Sequence, residues 1–232
     1  MPQGGLDQAV QLLQEVPFFA SVRRQDLLPL AAASRLQHYR RHGIVFHRDD
    51  PGDSLHIIHS GQVRIVLTSP EGDEIVLALL EPGEFFGELS LVDGLPRSAT
   101  AVANEPTVTL SLTRPAFLRA LGENPHLAQQ VILALCSRLR RTDLLLGDAA
   151  FLDVASRLTK RLHDLVATRR DAGETAGAPV VRITQVELAA MVGATRETVN
   201  KELRALEGRG IIRLERGRIV LEHPEALTSR DW

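Results

Sequence analysis

The chain has 232 residues, 44% of them hydrophobic and 24% charged, with a formal net charge of −2; this is the composition of a soluble globular protein and a length that suggests two domains, each able to bury a core. No apolar run is long enough to span a bilayer and the N-terminus lacks a basic start followed by an apolar core, so a cytoplasmic protein without a membrane partner is expected. The single Cys136 excludes an intramolecular disulfide and cannot alone hold a zinc or iron–sulfur site.

Charge becomes informative once the chain is divided. Residues 1–149 carry 13 Lys and Arg against 17 Asp and Glu, a net of −4, whereas residues 150–232 carry 14 against 12, a net of +2. The basic excess is small, so any nucleic-acid affinity must come from its placement on one face.

Residues 7–15 and 24–36 read as short amphipathic helices, with Leu27, Leu28, Leu30 and Leu36 packing on the segment C-terminal to them. Over 43–112 the pattern changes to short apolar runs divided by turn signals such as Pro51-Gly52-Asp53, Ser60-Gly61, Pro70-Glu71-Gly72 and Pro82-Gly83. Turn residues about every ten positions between strand-like runs predict a small antiparallel barrel or jelly roll, a common ligand container. Its most distinctive segment is 85–101, F-F-G-E-L-S-L-V-D-G-L-P-R-S-A-T-A. Gly87 lets backbone N–H groups approach a ligand, Glu88 is an acceptor at the same turn, and Arg97 with the Ser98 hydroxyl suits a phosphate. An acid and an Arg at this spacing serve equally as an ion pair closing a barrel end.

Pro125 opens a long helix to 146 in which Ala128, Ile132, Leu135, Leu139, Thr142 and Leu146 recur in alternating steps of four and three. That is a coiled-coil seam and predicts a two-fold dimer, while Val131, Ala134 and Leu145 form a second face suited to packing on the barrel. Gly147 is the hinge candidate. A further helix over 151–168 presents Val154, Leu158, Leu162 and Leu165 inward, and 169–179 reads as a polar surface loop.

Thr184 and Glu187 form a capping box, so a helix starts there, with Val186, Leu188, Ala189 and Val192 as its apolar side. Gly193 supplies a turn, and Thr195 caps a second helix whose Val199, Leu203 and Leu206 face inward. Arg196, Glu197, Asn200, Lys201 and Arg204 are left on the outer face. An isolated helix of this kind is ordinarily a solvated surface, but two capped helices joined by a Gly-containing turn are a helix-turn-helix. Arg196 can donate twice to guanine O6 and N7, Glu197 can accept from cytosine N4, and Thr198 with the helix-start amides suits phosphate. Residues 211–221, I-I-R-L-E-R-G-R-I-V-L, come next as a hairpin and complete a winged helix.

Two motifs resemble one family in its own order. F-G-E-L-S-L followed by R-S-A-T-A resembles the phosphate-binding cassette of the cyclic-nucleotide-binding domain, and G-A-T-R-E-T-V-N-K resembles the recognition helix of the cyclic AMP receptor, or catabolite activator, family; F-L-D-V at 151–154 extends the similarity over nearly the whole chain. The resemblance implies an α+β protein: a cyclic-nucleotide-binding jelly roll with N-terminal helices (1–123), a central dimerisation helix and hinge (124–147), and a winged helix-turn-helix domain (148–232). It implies a cyclic AMP effector, held by Glu88 at the ribose, by Arg97, Ser98 and the amides near Gly87 and Leu89 at the phosphate, and by Thr142 at the adenine. Asp143 stands where a well-known member has Ser. For double-stranded DNA it implies contacts from Thr184, Gln185, Thr195, Arg196, Glu197, Thr198, Asn200 and Lys201 on a TGTGA-type palindrome, with Lys201 standing where that member has Arg. It also implies a homodimer, and an RNA polymerase contact through 169–179.

Three alternatives depart from cyclic AMP, and a fourth from regulation altogether. A regulator of the same fold that works without a nucleotide, or answers another signal, is compatible with Asp143. A redox sensor is disfavoured by the single cysteine, and a haem sensor by the lack of histidine over 62–120. A metal-dependent jelly-roll enzyme would use His38, His42, His47, His56 and His59. No two of these are two apart, and His56 and His59 point to opposite faces of a regular strand, so neither metal nor catalysis is expected.

Overall fold

The computed structural model describes residues 3–16, 19, 22–171 and 179–227. The chain divides into two compact units, Met1–Leu67 with Leu77–Arg141, and Thr68–Val76 with Thr142–Trp232.

The first unit opens with helices α1 (Gln3–Glu15) and α2 (Arg24–Ala32). Strands β1 (Ser34–Tyr39), β2 (Ile44–Phe46), β3 (Ser54–Ser60), β4 (Val63–Thr68), β5 (Glu74–Leu80), β6 (Phe85–Phe86), β7 (Thr100–Ala103) and β8 (Thr107–Thr113) come after them, with a short α3 (Glu88–Asp93) between β6 and β7. They form two four-stranded sheets, β1-β8-β3-β6 and β2-β7-β4-β5. This is the expected jelly roll. Apolar residues of the first sheet, including Leu55, Ile57, Leu110 and Leu112, are buried with Val10 and Leu27 from the N-terminal helices, with Phe19 between those helices, and with Phe117 of α4 (Arg114–Glu123).

One helix expected there is cut short. The segment 24–36 is helical only to Ala32, and Ser34–Tyr39 is strand β1, paired antiparallel with β8 so that Leu36 lies opposite Leu110. Leu27 and Leu30 are buried, but Leu28 and Leu36 are each 40% exposed and do not pack as expected. The ladder to a strand far along the chain overrides the local apolar spacing.

Helix α5 (Pro125–Phe151) has a core-packed face and an exposed one, though Leu135, expected in the seam, falls on the packed face. Leu127 and Val131 are buried, and Ala134 and Leu135 are packed on the first core. Ile132, Leu139 and Leu146 are 59%, 64% and 69% exposed in the single chain. The helix passes through Gly147 without interruption and breaks instead at Leu152 and Asp153. Asp153 supplies the reason: its Oδ1 accepts the Ser156 N–H at 2.8 Å, capping α6 (Val154–Asp171). Phe151 therefore ends α5 rather than starting α6. Lys160 Nζ meets Asp148 Oδ1 at 2.7 Å and Arg157 Nη1 donates to Leu152 O at 2.8 Å, fastening this corner from both sides.

In the second unit, Leu158 and Leu162 of α6 join the apolar faces of α7 (Gln185–Val192) and α8 (Arg196–Gly208) and a three-stranded sheet ordered β10-β11-β9, made of β9 (Val180–Val181), β10 (Ile212–Glu215) and β11 (Arg218–Leu221). The expected hairpin is present, with Arg216 and Gly217 as its turn. Most of the loop at 169–179 lies outside the described residues. No helix among the described residues is long and apolar enough to cross a membrane.

Candidate functional site

The cassette is built where β6 gives way to α3. Gly87 carries the change of direction at φ 85°, and a Cβ there would stand 2.6 Å from Arg97 Nη1 and 3.1 Å from Ser54 O, so glycine is required by conformation and by space. Arg97 is only 3% exposed. Its Nη1 donates to Gly87 O at 2.7 Å, its Nη2 donates to Ser54 O at 2.7 Å, and its Cζ lies 4.2 Å over the Phe46 ring. Its buried Nε has no hydrogen-bond partner among the described residues. Burial pushes the guanidinium below its ordinary pKa, against the opposing pull of Asp53, Glu88 and Asp50. A buried cation with a spare donor is an anion site in chemical terms. Ser98 beside it and Leu89 on α3 are both exposed.

Glu88 is 2% exposed, and its partner is not Arg97. Arg138 of α5 pairs with it at 2.6 Å (Nη1 to Oε1), donates through Nη2 to Phe85 O, and lies 4.9 Å over the Phe85 ring. The alternative in which Glu88 and Arg97 close the barrel end as a pair is therefore not what forms. Sequence reasoning misses Arg138. The only available signal is its place four residues before Thr142, inside a basic run that reads as solvated surface. Thr142 and Asp143 are exposed on α5, within the second unit.

His56 is buried on β3, stacked on Phe86 with ring centroids 5.2 Å apart and 17° between the planes, while His59 is exposed. Among the described residues no group of three or more His, Cys, Asp and Glu is placed to hold a metal. Burial, then the Arg97 charge, lower the His56 pKa from 6.5 to about 4, with Asp53 opposing. Below pH 6.5 the unfolded chain binds a proton here that the folded chain refuses until about pH 4, so stability falls as pH falls through that window. The loss should reach about 2 kcal/mol by pH 5. Urea unfolding from pH 7.5 to 4.5 should show this slope, and His56→Phe should remove it; an unchanged slope in that variant would assign the acid sensitivity elsewhere.

The candidate nucleic-acid interface matches its sequence signals closely. Thr184 and Glu187 make both bonds of the capping box, Gly193 ends α7 in the left-handed region, and Thr195 Oγ1 accepts the Thr198 N–H at 3.2 Å at the start of α8. Val199, Leu203 and Leu206 are buried. Val186 is the correction: it is 59% exposed, and the buried residues of α7 are Leu188, Ala189, Ala190 and Val192, of which Leu188 and Val192, four apart on one side of the helix, lie about 120–160° around from Val186. Arg196, Glu197, Lys201 and Arg204 are exposed and make no ion pair among the described residues. Gln185 Nε2 donates to Asn200 Oδ1 at 3.2 Å, tying the two helices, and Leu214 N donates to Glu207 Oε1 at 2.9 Å, tying the hairpin to α8.

Residues 36–124 match the family model of the cyclic nucleotide-binding domain, and residues 156–230 that of the Crp-like helix-turn-helix domain. A CRP-like cAMP-activated global transcriptional regulator of Mycobacterium tuberculosis is 35% identical over 95% of this chain and 98% of its own. The chain belongs to the CRP family of transcription regulators. This CRP-family regulator is also 39% identical to the Cyclic AMP receptor protein of Thermus thermophilus, over 79% of this chain and 82% of that one. Among solved structures it is similar to the c-di-GMP responsive global regulator CLP of Xanthomonas campestris, with a TM-score of 0.78 and 25% identity over 86% of this chain and 99% of that one. The regulator has a cyclic nucleotide-binding domain and a helix-turn-helix for DNA, and is not an enzyme.

Proposed function

We propose that this regulator is a cytoplasmic, cyclic-AMP-responsive homodimer that binds palindromic TGTGA-type sites in double-stranded DNA and contacts RNA polymerase. The observation that carries the effector reading is the buried Arg97 with an unpartnered Nε, next to a Glu88 carboxylate held in place by Arg138. In this reading Arg97, Ser98 and the amides near Gly87 and Leu89 take the cyclic phosphate, Glu88 takes the ribose hydroxyl, and Thr142 with Asp143 takes the base. The relatives named for cyclic AMP support that choice.

The exposed line of Ile132, Leu139 and Leu146 on α5 supports the dimer, since a soluble helix rarely leaves such a stripe uncovered. A two-fold dimer in turn suits a palindrome. Thr184, Gln185, Thr195 and Thr198 hold phosphates, while Arg196, Glu197, Asn200 and Lys201 face the bases. Residues 1–123, 124–147 and 148–232 then act as effector domain, dimerisation element and DNA-binding domain. Effector binding shifts a two-state equilibrium only by its differential affinity, and a full switch takes about 5.5 kcal/mol.

Gel-shift titration on a TGTGA palindrome, with cyclic AMP, with cyclic di-GMP and with neither, tests target and effector together. Cyclic AMP is expected to tighten binding. Arg196→Ala is expected to weaken specific binding by about 1–3 kcal/mol and to relax preference at one base pair per half-site. Equal affinity in all three conditions would leave a nucleotide-independent regulator, and a response to cyclic di-GMP alone would move the effector assignment.

A further inference from the structure

Three groups converge on one hydroxyl of β3. Ser54 Oγ lies 3.3 Å from Arg97 Nη2, 3.3 Å from His56 Nε2 and 3.0 Å from Asp53 Oδ1. A hydroxyl has one proton and two lone pairs, a guanidinium only donates, and an ionised carboxylate only accepts. The Ser54 proton therefore goes to Asp53, and Arg97 takes one lone pair. The His56 tautomer with its proton on Nε2 supplies a donor for the second lone pair, and Nδ1 then faces the Thr109 hydroxyl at 3.4 Å. Every polar atom of the His56 ring is then used.

The same residues hold the guanidinium from a second direction. Phe46, the ring beneath Arg97 Cζ, has its centroid 5.9 Å from that of His56 and 5.8 Å from that of Phe86. The charged groups acting on His56 are Arg97 and Asp53, and Tyr39, hydrogen-bonded to Thr109, is neutral at physiological pH. A protonated His56 would set a second cation beside Arg97 and lose the acceptor that Thr109 uses. The network works only with a neutral ring.

We propose that Ser54 and His56 are positioning residues for the effector: they hold the Arg97 guanidinium with its Nε–H unpaired among the described residues, as the donor reserved for an anionic oxygen of a cyclic phosphodiester. This rests on the reading of the cassette as the cyclic-nucleotide site. Neither residue belongs to the cassette segment, and both act through Arg97.

The test uses the full chain and two readouts. Isothermal titration with cyclic AMP is expected to show affinity about tenfold lower for Ser54→Ala and for His56→Phe, which keeps the aromatic stack but has no ring nitrogen. Ser54→Thr restores the hydroxyl and His56→Gln restores an N–H at the same reach, so both should stay within about twofold of wild type. The Ala and Phe changes combined should cost less than the two singles together, because both act on one guanidinium. The second readout needs no ligand: the Arg97 Nε–H resonance should be resolved and slow to exchange in wild type and in the Thr and Gln variants, and broadened in the Ala and Phe variants. Wild-type affinity in Ser54→Ala and His56→Phe, or an unchanged Arg97 signal in both, overturns the proposal. If wild type binds no cyclic nucleotide, the site assignment fails, and the resonance alone decides whether Ser54 and His56 position Arg97.

Discussion

Arg97→Leu should lower cyclic AMP affinity about a hundredfold and, with it, remove effector-dependent DNA binding. The magnitude comes from the groups deleted: a charge-assisted donor set on a buried side chain, where each bond to an ionised group contributes about 1.5–3 kcal/mol. The change also strips Gly87 O and Ser54 O of their donors, at about 1–3 kcal/mol each in stability. Melting temperature must therefore be tracked beside affinity. Arg97→Lys separates the two effects, because it keeps a cation near the cassette but cannot reach Gly87 O, Ser54 O and a ligand with one planar fork. Its affinity should fall between wild type and the leucine variant. Undiminished cyclic AMP binding by a folded Arg97→Leu protein would sink the assignment of this site.

The features legible in the chain and those that are not divide along the range of the interactions involved. The capping box of Thr184 and Glu187, the Thr195 cap, the buried triplet Val199, Leu203 and Leu206, and the hairpin around Gly217 all depend on residues a few positions apart, and all are legible. Gly87 and Arg97 are legible as a motif because they lie only ten residues apart, across the short α3. Arg138 is not, because its partner Glu88 lies 50 residues away and nothing in S-R-L-R-R-T distinguishes one half-buried arginine from its exposed neighbours. The same holds for Ser54 and His56, whose link to Arg97 exists only once β3 lies beside the cassette. Strand β1 reads locally as the end of a helix for a related reason: its partner is β8, and local spacing cannot report a ladder of that separation.

Helix α5 shows the opposite error, a local signal given too much weight. A glycine inside a helix costs about 1 kcal/mol, which makes Gly147 a natural place to end one. The helix continues to Phe151, and the residues after the glycine are tied to α6 through the Asp148 pair with Lys160 and the Leu152 carbonyl bond to Arg157. Tertiary bonds worth more than the propensity loss decide the outcome, and the chain turns where Asp153 can cap a new helix.

Leu139→Glu should convert the protein from dimer to monomer while leaving the stability of the single chain almost unchanged. Leu139 is 64% exposed within its own chain, so the substitution removes little intrachain packing, and surface changes of that kind usually fall within about 0.5 kcal/mol. If α5 pairs with its two-fold mate along Ile132, Leu139 and Leu146, the same change acts twice. Each protomer loses about 1.5–3 kcal/mol of leucine burial, and two carboxylates meet across the axis where neither is solvated. Together these weaken self-association by about a thousandfold or more. Sedimentation at micromolar concentration should then give a monomer, and affinity for a palindrome should fall to that for a single half-site, because two recognition helices no longer bind as one body. Cyclic AMP binding at Arg97 and Glu88 should be reduced far less than DNA binding, since both side chains are held by bonds within one protomer. A Leu139→Glu protein that still sediments as a dimer would remove α5 as the pairing surface and with it the reason for expecting a palindromic target.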